Sequence, residues 1–459
     1  MNLTKQVGLV VGAAALALTG GSFADTTPEA NTDLKAKLDS ALARIDQLEA
    51  KQNDNWLTEQ RAGEIRELVQ DVLADADTRA SLLAQGVTAG YDNGAVISSA
   101  DGNWSLRTNI HMQQRFVWNN QDEGAVAGAI DEDRYGFENT RTKFILTGNV
   151  VNQDWIYKVE INVGSPSSTA ALGLLPAFAG VGADSRAGTG DAYLGYKYGD
   201  GMTVLFGTMK APLLREELVD SRYQLAVERS ALNYLFTGGR VDGIALDWMG
   251  DQFHITGAFS DGIRTGQTVW ATPTTDFAFT GRVEFLASGT WDQFSDFTSP
   301  AGDEQGIMIG GAIHYQESED DSLVLADVDV MVLTADISAE FGGANVYAAW
   351  IYTDIDVAGL GVDLNPWGFL VQGGIALSDD WEAFARYELA DFDVAGIEDL
   401  SVITFGVNRY FAGHNAKWTT DIGIGLDDVV FAPEITGLRT DVPGEDGQIV
   451  IRSQIQLVF

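Results

Sequence analysis

Basic side chains are concentrated in one stretch of an otherwise strongly acidic chain. The chain has 459 residues and a formal net charge of −38, yet residues 210–240 contain Lys210, Arg215, Arg222, Arg229 and Arg240. The same stretch is rich in leucine and valine, which a freely exposed loop would not favour. Because a low-dielectric passage strengthens each charge, guanidinium groups there would attract anions. The stretch therefore predicts an inward-folded segment that selects ions by charge.

A plainer interpretation of these arginines stays open. They can pair with carboxylates of the same stretch and simply hold it in shape. Those carboxylates are Glu216, Glu217, Asp220 and Glu228. The spacing of the residues does not decide between selecting ions and holding the segment.

Patterns typical of catalysis and metal binding are missing from the sequence. The chain has four histidines and no cysteine, and no Gly-x-Ser-x-Gly or His-x-x-x-His motif is found. Acidic clusters such as Asp131–Asp133 and Asp427–Asp428 supply oxygen atoms but lack the spacing of a calcium loop. We expect no catalytic residues, no cofactor and no metal site, and the acidity argues against nucleic acid as a partner.

The last twelve residues show the alternation that is typical of the strands predicted along the rest of the chain. Ile449, Ile451, Ile455, Leu457 and Phe459 alternate with polar residues, which is typical of a strand with one apolar and one wet face. A strand of about ten residues is long enough to cross a bilayer at a tilt. Similar alternation recurs along the chain from residue 103, and it predicts an all-β transmembrane barrel of about sixteen antiparallel strands. The predicted strands are 103–118, 137–150, 155–163, 190–198, 202–209, 240–249, 252–259, 277–287, 307–316, 328–341, 345–353, 367–377, 381–389, 401–411, 417–425 and 448–459.

Connections between these strands are alternately short and long, as in outer-membrane barrels. The stretch 288–305 breaks this rule, because it is long where a short turn is due. It contains Trp291, Phe294 and Phe297. We interpret it as a structured lip or plug, or as a missed pair of strands.

The N-terminal part has a different organisation. Residues 1–24 have the charged start, apolar core and small-residue cleavage site of a secretory signal peptide. Residues 25–57 contain Leu34, Leu38, Ala41, Ile45 and Leu48 at the spacing of a coiled coil, which predicts a periplasmic stalk that joins copies, most simply three. An amphipathic helix lying on another surface is the alternative. Residues 58–102 are predicted to be a helical segment and linker, and 103–459 the barrel.

Because alternate residues of a strand point to opposite faces, their positions place further basic residues on the water-facing side of the predicted strands. They are Arg107, Arg115, Arg141, Lys143 and Lys158, followed later in the chain by Lys197, Arg282, Arg386 and Arg452. Because a lipid-facing strand cannot carry such charges at its centre, we expect these side chains to line a water-filled interior. The candidate residues for selectivity are nine of these cations: Arg107, Arg115, Arg141, Lys143, Lys158, Lys210, Arg215, Arg222 and Arg229.

Several of these motifs resemble one known family. Met209-Lys210-Ala211-Pro212 followed by Arg215-Glu216-Glu217, Ser221-Arg222 and Glu228-Arg229-Ser230 is similar to the phosphate-selective porin O/P family. So are Trp155 to Glu160 and Gly406-Val407-Asn408. The resemblance implies a sixteen-stranded trimeric porin of the bacterial outer membrane with an inward-folded third loop and a ladder of basic residues. This chain departs from that ladder by adding wet-face carboxylates: Glu160, Glu284, Asp336, Glu340, Glu382 and Glu388.

The resulting expectation is an outer-membrane porin for passive diffusion of small hydrophilic solutes or ions, with a preference for anions or phosphate through residues 210–240. Its expected partners are membrane lipid, two further copies in a homotrimer, small anions or other small solutes and, through the N-terminal helices, peptidoglycan. The alternative is a secreted all-β binding or structural protein whose acidic loops hold cations. That alternative would have two stacked sheets with their apolar faces hidden against each other.

Overall fold

A computed structural model describes two units of the chain, residues 1–106 and 107–459. Within them the described residues are 35–44, 86–121, 133–164, 188–263, 275–318, 328–357, 362–430, 433–441 and 447–459. Among these residues, no helix combines the length and the apolar content needed to cross a membrane.

The first unit contains one helix and one hairpin. Helix α1 spans 35–44 and leaves Leu38 and Leu42 about half exposed, at 52% and 43%. Strands β1 (Val87–Tyr91) and β2 (Ala95–Ser99) pair antiparallel around a turn in which Asn93 adopts a positive φ of 46°. The linker predicted up to residue 102 thus contains a hairpin that its sequence did not indicate. The signal peptide at 1–24 and the rest of the predicted helices, 25–34 and 45–85, lie outside the described residues.

The second unit is a closed barrel of sixteen antiparallel strands. Its strands correspond one by one to those predicted, with ends shifted by a few residues. They are β3 (Ser105–Asn120), β4 (Asp133–Asn149), β5 (Trp155–Asn162), β6 (Gly188–Gly199), β7 (Met202–Lys210), β8 (Arg240–Met249), β9 (Phe253–Ser260), β10 (Phe277–Ser288), β11 (Gly306–Ser318), β12 (Val328–Glu340), β13 (Ala344–Val357), β15 (Trp367–Ala376), β16 (Trp381–Asp391), β17 (Leu400–Tyr410), β18 (Ala416–Gly425) and β19 (Ile449–Val458). A short extra strand, β14 (Val362–Leu364), extends the edge of β13.

Pairing of the last strand with the first closes the ring. In β19, Ile451 lies opposite Trp118 of β3 and Gln456 opposite Gln113. The carbonyl and amide of Phe459 bond to Ile110 at 2.7 and 3.0 Å. A closed ring has no exposed edge and satisfies the backbone polar groups of every strand. The alternative of two stacked sheets is therefore wrong.

Alternating burial along each strand separates an inner from an outer face. In β13, Tyr347, Ala349 and Ile351 are buried, whereas Val346 and Trp350 are exposed. Aromatic rings form a cluster near each end of the outer face, as Trp155 and Tyr196 do at one end (4.8 Å between ring centroids). At the other end Phe277 contacts Tyr315 at 6.0 Å. Two aromatic bands around an apolar outer face are typical of a barrel in a bilayer.

The two ends of the barrel differ in their connections. At the end that we call the short-turn end, the turns are 150–154, 200–201, 250–252, 341–343, 377–380 and 411–415. The stretch 289–305 at this end contains no strand pair. It forms a turn of 3-10 helix (Gln293–Ser295) with Phe294 and Phe297 buried, which agrees with the predicted lip.

Candidate functional site: the interior of the barrel

Residues 211–239, which join β7 to β8, run inside the barrel and are called here the transverse segment. The segment contains helix α2 (Arg215–Leu218), a 3-10 turn (Ser221–Tyr223) and helix α3 (Ala231–Phe236). Ser230 caps α3 by accepting a hydrogen bond from the Asn233 amide, and Asp220 caps the 3-10 turn through the Arg222 amide. These caps satisfy amides that such short helical pieces leave unpaired.

Apolar residues explain why the segment folds inward. Leu213, Leu214 and Leu232 are fully buried at 0% exposure. They belong to a core that also contains inward-facing residues of the wall, among them Ile351 and Leu370. Burial of leucine side chains stabilises a fold by roughly 1.5–3 kcal/mol each. The inward fold predicted from the leucines and valines of this stretch is therefore observed.

The carboxylate of Glu228 is the centre of a cluster that ties the segment to β3 and β4; we call Glu228, Arg115, Arg141 and Tyr234 the Glu228 cluster. Arg141 donates to both oxygens of Glu228 at 2.8 and 2.7 Å, and the Tyr234 hydroxyl donates at 2.7 Å. Arg115 lies 3.7 Å away. Burial alone would raise the pKa of Glu228, but Arg141 and then Arg115 lower it to about 2. Glu228 therefore stays ionised and fixed by charge-assisted bonds.

Hydrogen bonds hold the rest of the segment to other parts of the wall. On one side, Arg282 of β10 and Thr334 of β12 donate to the Leu213 carbonyl at 3.2 and 3.0 Å. On the opposite side, Asn408 of β17 donates to the Leu225 carbonyl at 3.0 Å. From the same side, Lys417 donates to the Gln224 carbonyl (2.8 Å) and Gln456 to that of Arg222 (3.1 Å). The Val227 amide in turn donates to the Asp421 carboxylate (2.9 Å). The segment thus crosses the interior and is bonded at both sides.

The structure divides the candidate selectivity residues into two groups. The buried group comprises Arg115, Arg141, Lys143, Arg215 and Arg229. Lys143 lies 3.1 Å from Glu160. Arg215 donates to the Ser338 hydroxyl and the Phe294 carbonyl (2.8 and 2.5 Å), and Arg229 to the Val219 carbonyl (2.8 Å). These cations are thus held by partners inside the barrel. Arg229 lies 3.5 Å from Glu217, a pair within the stretch of the kind that the plainer interpretation proposed, whereas Arg215 is held by residues outside that stretch.

The second group reaches water. The Lys158 side chain is 22% exposed and lies 2.5 Å from Asp191, and that of Arg222 is 27% exposed with Asp220 at 3.7 Å. Lys210, which donates to the Glu217 carbonyl at 2.6 Å, and Arg107 are half-buried. Of the nine candidates, only the side chains of this second group can meet a dissolved ion without rearrangement of the interior.

Carboxylates on the wall neutralise most of the remaining wet-face arginines. Arg282 is held between Glu284 and Asp336, both at 2.8 Å. Arg386 lies 3.3 Å from Glu388 and donates to the Glu228 carbonyl. The predicted departure from a purely basic ladder is therefore visible as paired charges inside the barrel.

Some residues of these networks were not identified from the sequence. Asp421 receives two bonds from Arg452 at 2.7 and 3.0 Å, and Asp191 receives one from Arg240 at 2.7 Å. Lys417 donates to the transverse segment. Asp421 and Lys417 share the inward parity of Thr419 on β18, so the alternation of this strand contained the signal.

Two other features of the interior complete the site. Residues 433–441 also fold inward, since Arg452 donates to the Thr436 carbonyl at 2.6 Å and Asn119 to that of Gly437 at 3.1 Å. No group of three or more His, Asp or Glu among the described residues is arranged to hold a metal ion. The arrangement offers charges and hydrogen bonds to a passing solute.

Comparisons with known proteins agree with this architecture. Residues 110–295 match the family model of phosphate-selective porin O and P. An uncharacterized protein of Aquifex aeolicus (strain VF5) is 26% identical over 263 residues, which cover 50% of this chain and 60% of that protein. The chain therefore spans less than two thirds of the length of this relative.

Solved structures show the same fold at low sequence identity. The anion-selective porin from Comamonas acidovorans is similar with a TM-score of 0.55 and 14% identity, over 78% of this chain and all of that one. The outer-membrane protein OmpT of Vibrio cholerae is similar with a TM-score of 0.51 and 12% identity, over 78% and 98% of the two chains. The chain thus has the porin fold, and its residues 110–295 match the family model of phosphate-selective porin O and P.

Proposed function

We propose that the protein is a passive channel for small hydrophilic solutes and ions, with a weak preference for anions and no chemical reaction of its own. The proposal rests on the observation that the cations inside the barrel form two groups, one buried and one that reaches water. Arginines that pair with buried carboxylates add little net charge along a path, because the paired fields largely cancel at a distance. Preference for anions then depends on Lys158, Lys210, Arg222 and Arg107.

The family description names phosphate, and the Comamonas porin is described as anion-selective. Both descriptions support the anionic preference. A strong preference for phosphate needs several unpaired cations in a row. Pairing of Arg282 and Arg386 with Glu284 and Glu388 favours the weaker preference.

Replacing Arg222 and Lys158 together by glutamine is expected to shift the reversal potential in a salt gradient toward cation selectivity. Both side chains reach water, and their loss removes two positive charges beside the path. Asp220 loses its Arg222 partner, whereas Asp191 keeps Arg240 at 2.7 Å. The measurement is the reversal potential in planar bilayers under a KCl gradient.

The matched control for this double variant is Lys197→Gln. Lys197 is also exposed but lies at the short-turn rim, next to the turn 200–201. We expect this control to leave the reversal potential close to that of the original protein. A double variant with an unchanged reversal potential would remove Arg222 and Lys158 from the selectivity filter.

We further propose that three copies assemble and that the predicted stalk at 25–57 contributes to the assembly. Support comes from α1, whose apolar Leu38 and Leu42 are exposed in the single chain. Isolated helices of this length are marginal in water, so a partner helix would stabilise them. Contact of the N-terminal helices with peptidoglycan is a second role for the same region.

Deleting residues 33–85 is expected to lower the temperature at which the trimer dissociates. The deletion removes the predicted coiled coil and leaves the barrel intact. Heating the purified protein in detergent and separating trimer from monomer on a gel measures the change. Dissociation at the same temperature with and without the deletion would leave only a tethering role for this region.

A further inference from the structure

The Arg409 side chain faces away from the interior of the barrel. Strands β15 to β19 carry Arg386, Arg409, Lys417 and Arg452. Arg386, Lys417 and Arg452 are buried, with partners inside the barrel. Arg409 is exposed, and in the register of the sheet it lies directly between Trp381 of β16 and Trp418 of β18. Cross-strand neighbours share one face of a sheet, so all three side chains are on the outer face.

Aromatic rings surround the guanidinium of Arg409. Its central carbon lies 5.4 Å from the centroid of the Trp381 ring and 4.8 Å from that of Phe411. The Trp381 and Trp418 rings meet edge to face at 6.2 Å. Contacts of a cation with aromatic faces within about 6 Å are attractive and hold the cation in place.

Among the described residues, neither Arg409 nor Trp381 has partners for all of its polar atoms. The contacts of the Arg409 guanidinium in this part of the chain are with aromatic rings, and none of the described ion pairs includes it. The Trp418 ring nitrogen donates to the Ser453 hydroxyl at 2.9 Å, but among the described residues no acceptor faces the Trp381 ring nitrogen. The outer face thus presents a fixed guanidinium next to an indole N–H donor.

The location determines which anion is available to these donors. Arg409 is the penultimate residue of β17, just before the turn 411–415, and so lies at the short-turn end within its aromatic band. In a bilayer, aromatic bands lie at the level of the lipid headgroups. A cation at that level avoids hydrocarbon by contacting water or a headgroup. The planar guanidinium fits the two free oxygens of a phosphodiester.

We propose that Arg409, with Trp381 and Phe411, forms a binding site for the phosphodiester headgroup of a membrane phospholipid at the short-turn end of the barrel. The site needs the barrel to lie in a membrane, and in this respect it rests on the proposed function. It is independent of the proposed ion preference, because none of its side chains faces the interior.

Native mass spectrometry of the full chain in detergent tests this site. The protein is titrated with phosphatidylglycerol, with diacylglycerol of the same acyl chains, and with inorganic phosphate. We expect phosphatidylglycerol to bind at concentrations about tenfold or more below those of diacylglycerol, as one charge-assisted pair contributes. In Arg409→Gln, the two lipids should bind at the same concentration. Arg409→Lys keeps the charge but not the planar guanidinium, so its binding of phosphatidylglycerol should be intermediate between that of the original protein and that of Arg409→Gln.

Lys197→Gln is the matched control, because Lys197 is exposed at the same short-turn end while its neighbours in sequence, Tyr196 and Tyr198, belong to the outer aromatic band. We expect it to bind phosphatidylglycerol as the original protein does. Equal binding of phosphatidylglycerol by the original protein and Arg409→Gln would overturn the proposal. So would displacement of the lipid by inorganic phosphate at equal concentration. Unchanged conductance of Arg409→Gln in bilayers separates this result from any failure of the channel proposal.

Discussion

Removing residues 213–236 and joining Pro212 to Thr237 through a short Gly-Ser linker is expected to raise the single-channel conductance several-fold. The transverse segment is bonded to β10 and β12 on one side and to β17, β18 and β19 on the other. The segment therefore fills part of the cross-section of the barrel interior, through which dissolved ions would otherwise pass. Recording single channels in planar bilayers with symmetric KCl measures the change.

A deletion of comparable length within residues 165–187, which belong to the long connection between β5 and β6, serves as the control for this experiment. We expect it to change conductance far less than the deletion of the transverse segment. Heat-modifiable mobility on a gel shows whether each variant has folded as a barrel. Equal conductance of a folded deletion variant and the original protein would mean that ions do not pass where the transverse segment lies.

Glu228→Gln is expected to destabilise the attachment of the transverse segment by about 3–5 kcal/mol, the cost of leaving buried cations without their carboxylate. Arg141 would lose the carboxylate whose two oxygens accept its hydrogen bonds, and Arg115 would lose its buried ion-pair partner. Both side chains are almost fully buried. We expect larger fluctuations of the open-channel current and a lower unfolding midpoint in urea.

The control for the Glu228 substitution is Glu138→Gln. Glu138 also pairs with Arg115, at 2.6 Å, but its side chain is 37% exposed. Exposed ion pairs contribute at most about 1 kcal/mol, so this control should change the unfolding midpoint little. Equal effects of the two substitutions would contradict the central role of Glu228.

Acid should weaken the same attachment without any mutation. The pKa of Glu228 is lowered from 4.5 to about 2 in the folded protein. A depressed carboxylate pKa stabilises the fold fully above the unfolded value, and this contribution is lost as the pH falls from about 4.5 toward 2. Glu228→Gln should therefore show a smaller loss of stability over this pH range than the original protein.

The sequence predicted the wall of the barrel well because each strand meets two different surroundings. Ile455 and Leu457 face outward while Gln454 and Gln456 face inward, and this contrast appears directly as period-two alternation. The hairpin at 87–99 has no such contrast, since β1 is exposed along its whole length. It was therefore predicted as a linker.

The alternation of residues along a strand could not predict which charged side chains pair inside the barrel. Alternation places Arg141 on the inner face, but Glu228 lies 87 residues away in a segment without regular period. Which arginine is buried and which reaches water depends on how the transverse segment crosses the interior. Arg229 and Arg222 are seven positions apart in sequence, yet the first is fully buried and the second is partly exposed.

The most direct test of the account asks whether ions pass along the inner face of the wall. The chain contains no cysteine, so Lys158→Cys and, on the outer face, Ile313→Cys each introduce a single thiol. A negatively charged methanethiosulfonate reagent is added during single-channel recording. The account predicts a step change in conductance for Lys158→Cys and none for Ile313→Cys, whose position is 51% exposed on the outer face. Absence of any ion current, or an equal response of the two variants, would contradict it.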